Sequence, residues 1–146
     1  MSELGDLYQE TILDHYKNPR NAGRIEQPTC AAHGDNPLCG DKLALTVKMK
    51  GDAIEDLRWS GSGCAISTAS ASLMSEAVKG MARSNVNALF SQFHSMVTGM
   101  ADVSDMGKLE VFRGVSEFPV RVKCATLAWH TLKAAIDGKE DIVSTE

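Results

Sequence analysis

Four cysteines, Cys30, Cys39, Cys64 and Cys124, hold most of the chemical potential of this 146-residue chain. Cys39 sits in "NPLCGD", Asn36–Asp41, where Asn, Pro and Gly are ordinary bend formers. Less ordinary is that Cys39 and Asp41, two potential anionic ligands, leave the same tight loop. Cys64 follows Gly61-Ser62-Gly63, and Cys124 lies in "VRVKCATLAW". The spacing is not a paired CxxC pattern, so by zinc-finger standards the signal is weak. A reducing compartment favours metal binding or catalysis over disulfides. Counting cysteines alone still leaves such a role level with scattered core thiols.

The elements that would position these residues can be read from periodicity. Leu4, Leu7, Tyr8 and Ile12 predict an amphipathic first helix ending before Asn18-Pro19. Pro19–Gly40 shows little periodicity and reads as a long loop, with a third strand around Arg24–Thr29 as the weakest assignment. "KLALTVKMKGD" and "AIEDLRWSG" alternate as two strands of a hairpin turning at Gly51-Asp52. A helix follows from Cys64, with Ile66, Ala69, Leu73, Ala77 and Met81 on one face. Ser84 is the expected N-cap of the next helix, which carries Val86, Leu89, Phe90, Phe93 and Val97 and stops at Gly99. A short helix is expected from about Asp105 to Arg113, and a last one from Pro119 to Ile136 with Gly138 as its stop. The fold class is α+β, a small antiparallel sheet of about three strands packed against several helices. Residues 1–146 are expected to form one domain, with 139–146 a flexible tail.

On that map Cys39, Cys64 and Cys124 all fall at element ends. A hairpin brings the start of one strand beside the end of the next, so Cys39, Asp41 and Cys64 should share one sheet edge. A helix N-terminus favours a thiolate, and glycine lets backbone approach a bound atom closely. Three thiolates and a carboxylate suit tetrahedral zinc, with the oxygen as the hardest ligand.

The charge balance narrows the partners. Net charge is −4 and the pI is near 5.5, which argues against a nucleic-acid surface. No apolar run approaches a membrane span. The N-terminal "MSELGDLYQE" lacks the basic head and apolar core of a signal peptide, so a cytoplasmic location is expected.

"NPLCGD", "GSGCAISTASASLM", "VRVKCATLAW" and "LDHYKNPRNAG", four motifs spread over most of the chain, resemble signature segments of the iron–sulfur assembly proteins related to IscU and the NifU N-terminal domain. The chain looks most like the SufU branch. Lys123 stands where scaffold proteins of the IscU branch carry a histidine. The segment around Phe93–Phe112 is an insert relative to them, and "EFPVR", Glu117–Arg121, replaces their chaperone-docking segment.

The resemblance implies an IscU/SufE-like fold and Zn²⁺ held by Cys39, Asp41, Cys64 and Cys124. It also implies sulfur transfer onto Cys39 from a PLP-dependent cysteine desulfurase of the SufS type, feeding the downstream iron–sulfur assembly machinery. The alternative it leaves is a non-enzymatic scaffold for iron or a [2Fe–2S] cluster on the same ligands. Arg121, three residues before Cys124, would share its helical face and steady negative charge at the site or on the incoming persulfide. The other candidates have plainer readings. Cys30 matches no motif and is expected to be incidental. His33 is expected to be a solvated loop residue and His15 a hydrogen-bonding residue near a helix end. His94 and His130 are expected at the surface or in packing, with Trp59 and Trp129 as apolar anchors.

Overall fold

A computed structural model describes residues 3–138 other than 102 and 104, together with 143–144. Helix α1 (Glu3–Lys17) ends just before Asn18-Pro19, because the residue preceding a proline is driven out of the helical region. Tyr8 and Ile12 pack against the core as expected; the side chains of Leu4 and Leu7 lie outside the described residues. Strands β1 (Cys30–Asn36), β2 (Asp41–Lys50) and β3 (Ala53–Ser62) follow. Then come helices α2 (Ala65–Val78) and α3 (Arg83–Thr98), a 3₁₀ segment Gly107–Glu117, α4 (Pro119–Ile136) and a two-residue strand β4 (Val143–Ser144).

The α+β architecture is the expected one. β1, β2 and β3 form an antiparallel meander, and β4 pairs parallel with Gly34 and Asp35, giving the order β3-β2-β1-β4. β4 falls within the expected tail; residues 139–142 and 145–146 lie outside the described residues.

Four local expectations are corrected. Pro19–Gly40 is not all loop, because β1 occupies Cys30–Asn36. The third strand therefore begins at Cys30, after the Arg24–Thr29 stretch proposed for it. That stretch runs beside β2 instead, tied by Ile25 N–H to Thr46 Oγ1 (3.0 Å) and Thr29 N–H to the Val47 carbonyl (2.9 Å). Ser84 does not cap α3. The cap is Ala82, whose side chain makes no capping bond, and Arg83 N–H donates across to the Asp52 carbonyl of the β2–β3 turn (2.8 Å). The short helix is 3₁₀ and extends to Glu117.

α4 lies across β1 and β2, while α2 is enclosed between α1 and α4. Close approach of α4 to β1 needs a glycine. A Cβ on Gly34 would collide with Thr131 Oγ1 and lie 2.9 Å from Leu127 Cδ1. Enclosure also explains why α2 is wider in its burial than the single stripe expected of it. Ala69 to Ser75 are buried without a break, and the small serines bury no unsatisfied hydroxyl. Ser70 donates to the Ala125 carbonyl (2.6 Å), and Ser75 to the Ser72 carbonyl (2.6 Å). Phe93 stacks on Trp129 at 4.4 Å between centroids, with Phe112 edge-on at 5.9 Å. Phe93 and Phe112 thus both feed the core that holds α4 in place.

Candidate metal centre

"NPLCGD" is the β1–β2 connection. Asn36 and Asp41 face each other as the last register pair of that hairpin, and Pro37–Gly40 close the turn with Gly40 at φ +71°. Cys39 N–H donates to the Asn36 carbonyl (3.2 Å), which holds Cys39 at the tip. The next register pair out, Lys42 with Ser62, ends β3 beside the turn. Cys64 follows at once as the N-cap of α2, its sulfur accepting from Ser67 N–H at 3.4 Å. The fourth side chain comes from α4, whose seating on Gly34 brings Cys124 down onto the end of β1.

The result is a compact donor cluster. One ligand atom each from Cys39, Asp41 and Cys124 lies within 4.8 Å of the others. Cys124 Sγ is 3.3 Å from Cys39 Sγ. Cys64 stands beside this triangle, with its Sγ 3.9 Å from Asp41 Oδ2 and its N–H donating to Asp41 Oδ1 at 2.9 Å. Two sulfurs each about 2.3 Å from a tetrahedral zinc sit roughly 3.8 Å apart, so these separations suit one shared ion with small adjustments. Burial above all, then the neighbouring Cys39 and Cys64 thiols and Asp41, push the Cys124 thiol upward. Packing acidic groups into one dry corner makes negative charge costly, and a divalent cation is what relieves that cost. The donor set therefore fits zinc.

Exposure is uneven. Asp41 is fully buried and Cys124 is 3% exposed, whereas Cys39 and Cys64 are half-buried. Arg121 is an exposed residue of the first turns of α4, its guanidinium 4.6 Å from the centroid of the Phe118 ring. Arg121, Phe118 and Cys64 line one open hollow of about 770 Å³, with Tyr8, Ile12 and Val115 on its other walls. Arg121 and Cys64 thus line the same hollow, of which Cys39 is not a lining residue.

The other candidates lie elsewhere. Cys30 begins β1 at the far end from Asn36, about 20 Å along the strand, and burial pushes its thiol upward. His33 is exposed on β1, and the period-two alternation of a strand turns it away from the face that carries Asn36. His15 is buried, with Nδ1 2.7 Å from Ser72 Oγ and Nε2 3.6 Å from Glu76. Because Ser72 Oγ also accepts from Arg20 N–H (2.9 Å), its own proton is free for His15 Nδ1, which leaves Nε2–H facing Glu76. His94 and His130 pack edge-on at 5.8 Å between α3 and α4. Trp59 is more than an anchor, since its Nε1–H donates to the Arg20 carbonyl (2.8 Å) and fastens the segment after α1.

Two residues of the site were not singled out from the sequence. Asn36 was visible only as a bend former, yet its Nδ2 contacts both Asp41 Oδ2 (3.4 Å) and Cys124 Sγ (3.7 Å). Gly63 was visible only as one of the two glycines ahead of Cys64, a residue type that lets backbone approach a bound atom. The room goes to Asp41 instead: a Cβ there would collide with Oδ1 and lie 3.0 Å from Cγ.

The model of the NifU-like N terminal domain matches residues 7–125, a span that includes all four of these ligand candidates. The chain belongs to that family. Within this NifU-like family, the chain is 42% identical over 141 residues to the zinc-dependent sulfurtransferase SufU of Bacillus subtilis, covering 95% of each. It is 43% identical over 138 residues to the iron–sulfur cluster assembly scaffold protein IscU of Streptococcus pyogenes, covering 93% of this chain and 86% of that one. A crystal structure from Fervidobacterium islandicum, described as a candidate iron–sulfur assembly scaffold for the SUF system, superimposes with a TM-score of 0.83 at 33% identity. It covers 87% of this chain and 94% of that chain. Among the described residues no helix is long and apolar enough to cross a membrane.

Proposed function

We propose that this chain is a zinc-dependent sulfur acceptor of iron–sulfur cluster assembly, taking sulfur onto Cys39 from the persulfide of a partner cysteine desulfurase of the SufS type. Cys39, Asp41, Cys64 and Cys124 would hold the zinc, which supplies a redox-inert charge that keeps the sulfurs ionised and shielded. The observation that carries the reading is the unequal exposure of the cluster. Cys124 and Asp41 are sealed in the protein. Cys64 is pinned at a helix cap. Cys39 rides the tip of a four-residue turn, where another protein can reach it.

The step itself is a thiol–disulfide exchange. The Cys39 thiolate attacks the outer sulfur of the partner's persulfide. The S–S bond to the partner's cysteine breaks, and that cysteine leaves as a thiolate. Cys39 becomes the persulfide with no net oxidation or reduction. Arg121, which lines the same hollow as Cys64, would steady the anionic persulfide as it arrives. Lys123, where the scaffold branch resembled above has a histidine, leaves the cluster without a further imidazole.

The test is to mix the protein with its desulfurase and cysteine, trap persulfides with an alkylating label, and map the labelled peptide. Label is expected on Cys39 and lost in Cys39→Ala, whereas Cys64→Ala and Cys124→Ala fail through loss of zinc. Label on Cys30 or Cys124 with Cys39→Ala still active would refute the acceptor assignment. Brown protein with stoichiometric iron and sulfide after anaerobic purification would favour the scaffold instead.

A further inference from the structure

Asn36 ends β1 opposite Asp41, and its side chain is fully buried. Asparagine is a poor strand former, so local preference does not explain it. Nor does satisfied hydrogen bonding, because Oδ1 is buried without a partner. The amino end is the end in use. Its two neighbours, Asp41 Oδ2 at 3.4 Å and Cys124 Sγ at 3.7 Å, are both acceptors when ionised. Turning the amide over would set its oxygen against both, so the chemistry of the neighbours fixes its orientation.

Asp41 is held at both oxygens as a consequence. Cys64 N–H takes Oδ1 at 2.9 Å, and the Asn36 amide takes Oδ2. Cys124 reaches the cluster from α4, and Asn36 ties it to the end of β1. One neutral donor therefore links ligands from two separate elements. The nearby cation on the same helix, Arg121, is exposed and lies over the Phe118 ring, so it is not the group that contacts the buried side of the cluster.

We propose that Asn36 is a positioning residue of the metal centre: its amino group donates to the Asp41 carboxylate and the Cys124 sulfur, fixing both ligands and offsetting their negative charge. This rests on the zinc reading of the site given above. A neutral donor is suited to the place. A buried cation would compete with the metal for the same ligands, while a buried carboxylate would add to a cluster already crowded with negative charge. Partners behind metal ligands typically change metal affinity by roughly 10–100-fold when removed.

The experiment compares wild type with Asn36→Leu, which keeps the branched side-chain outline without the donor, and with Asn36→Ala, which removes the donor without adding bulk. Zinc affinity is measured by competition with a chromophoric chelator, and the cobalt(II) derivative supplies a thiolate-to-metal charge-transfer band. Both variants are expected to bind zinc about 10–100-fold more weakly and to shift that band. Folded Asn36→Leu protein with wild-type affinity and an unshifted band overturns the proposal. A second measurement needs no variant. With a spin-active cadmium isotope loaded into wild type, the Asn36 side-chain amide protons are expected to exchange slowly and to couple to the metal through Cys124 Sγ. Fast exchange without coupling overturns the proposal even if neither variant folds. Wild type that binds neither zinc nor cobalt overturns the zinc reading itself, and this proposal with it. Tight wild-type binding with indifferent variants removes only the role of Asn36.

Discussion

Replacing Gly63 by alanine tests how the turn between β3 and α2 is built around Asp41. The added Cβ would strike Oδ1 and lie 3.0 Å from Cγ and 3.1 Å from Cβ of that buried carboxylate. Gly63 has no positive φ, so the cost is steric contact and not backbone strain. Asp41 must move, and moving it breaks the 2.9 Å bond from Cys64 N–H. A hydrogen bond to a charged group contributes about 1.5–3 kcal/mol. Overpacking a buried site costs about 1–3 kcal/mol. The two overlap, because displacing the carboxylate relieves the clash, so Gly63→Ala should destabilise by about 2–4 kcal/mol. That is a large share of a typical stability of about 5–15 kcal/mol.

Coupling between Gly63 and Asp41 is the sharper test. In an Asp41→Ala background the carboxylate is gone and only the 3.1 Å approach to Cβ is left. The same alanine should then cost under about 1 kcal/mol, giving a coupling of about 2 kcal/mol between the two positions. Urea unfolding of the four proteins of the cycle, all with chelator present so that metal affinity does not enter, measures it. Equal cost of Gly63→Ala in both backgrounds would refute the claim that this glycine exists to make room for Asp41.

Further outcomes follow from the same geometry. Chelation should loosen the Pro37–Gly40 turn, seen as faster amide exchange at Cys39 and Asp41, while helical circular dichroism persists because the stacked Phe93 and Trp129 that join α3 to α4 are not among the ligand candidates; collapse of the helical signal would make the site structural. Gly34→Val should lift α4 off β1 through its clash with Thr131 and Leu127, lowering stability by about 1–3 kcal/mol and weakening zinc because Cys124 moves with the helix, both read from one urea and chelator series. Stability should also fall with acid around His15 and His130. Burial first, helped by Arg20 at His15 and by His94 and Lys133 at His130, holds both below the ordinary 6.5. The unfolded chain then binds more protons than the folded one between each lowered value and 6.5, so this contribution is complete above about pH 6.5 and lost as pH drops below it. His130→Phe should flatten the thermal-midpoint profile between about pH 5 and 7 in chelator, and an unchanged slope would remove His130 from the account.

Where sequence reading succeeded, local chemistry decided the outcome. α4 starts at Pro119 and runs to Ile136 as read, because a proline at the first turn and a glycine past the end are signals that need no tertiary partner. The β2–β3 hairpin was equally plain, since alternation and Gly51 specify it together. β1 was missed because "CAAHGDN" has no β-branched residue and little alternation. It is a strand because it pairs along its whole length with β2 and lies under α4, a helix nearly a hundred positions away. The same long-range cause governs the site. That Cys39, Asp41 and Cys64 share an edge could be derived from hairpin geometry alone. Cys124 joins them only because Gly34 lets α4 settle, and no spacing between cysteines encodes that.

Asn36 shows the limit from the other side. Its type was read as a bend former, and it does flank the turn. Propensity scales describe a residue against solvent and its neighbours in the chain. The Asn36 amide instead answers to a carboxylate across the hairpin and a sulfur on another helix. A buried polar side chain with one end unpartnered marks a place where local preference was overruled, and such places gather where function has set the terms. Asn87 Oδ1 is also buried without a partner, but it is the Asn36 side chain that touches two of the four ligand candidates, and that contact is the ground for reading Asn36 as more than a turn residue.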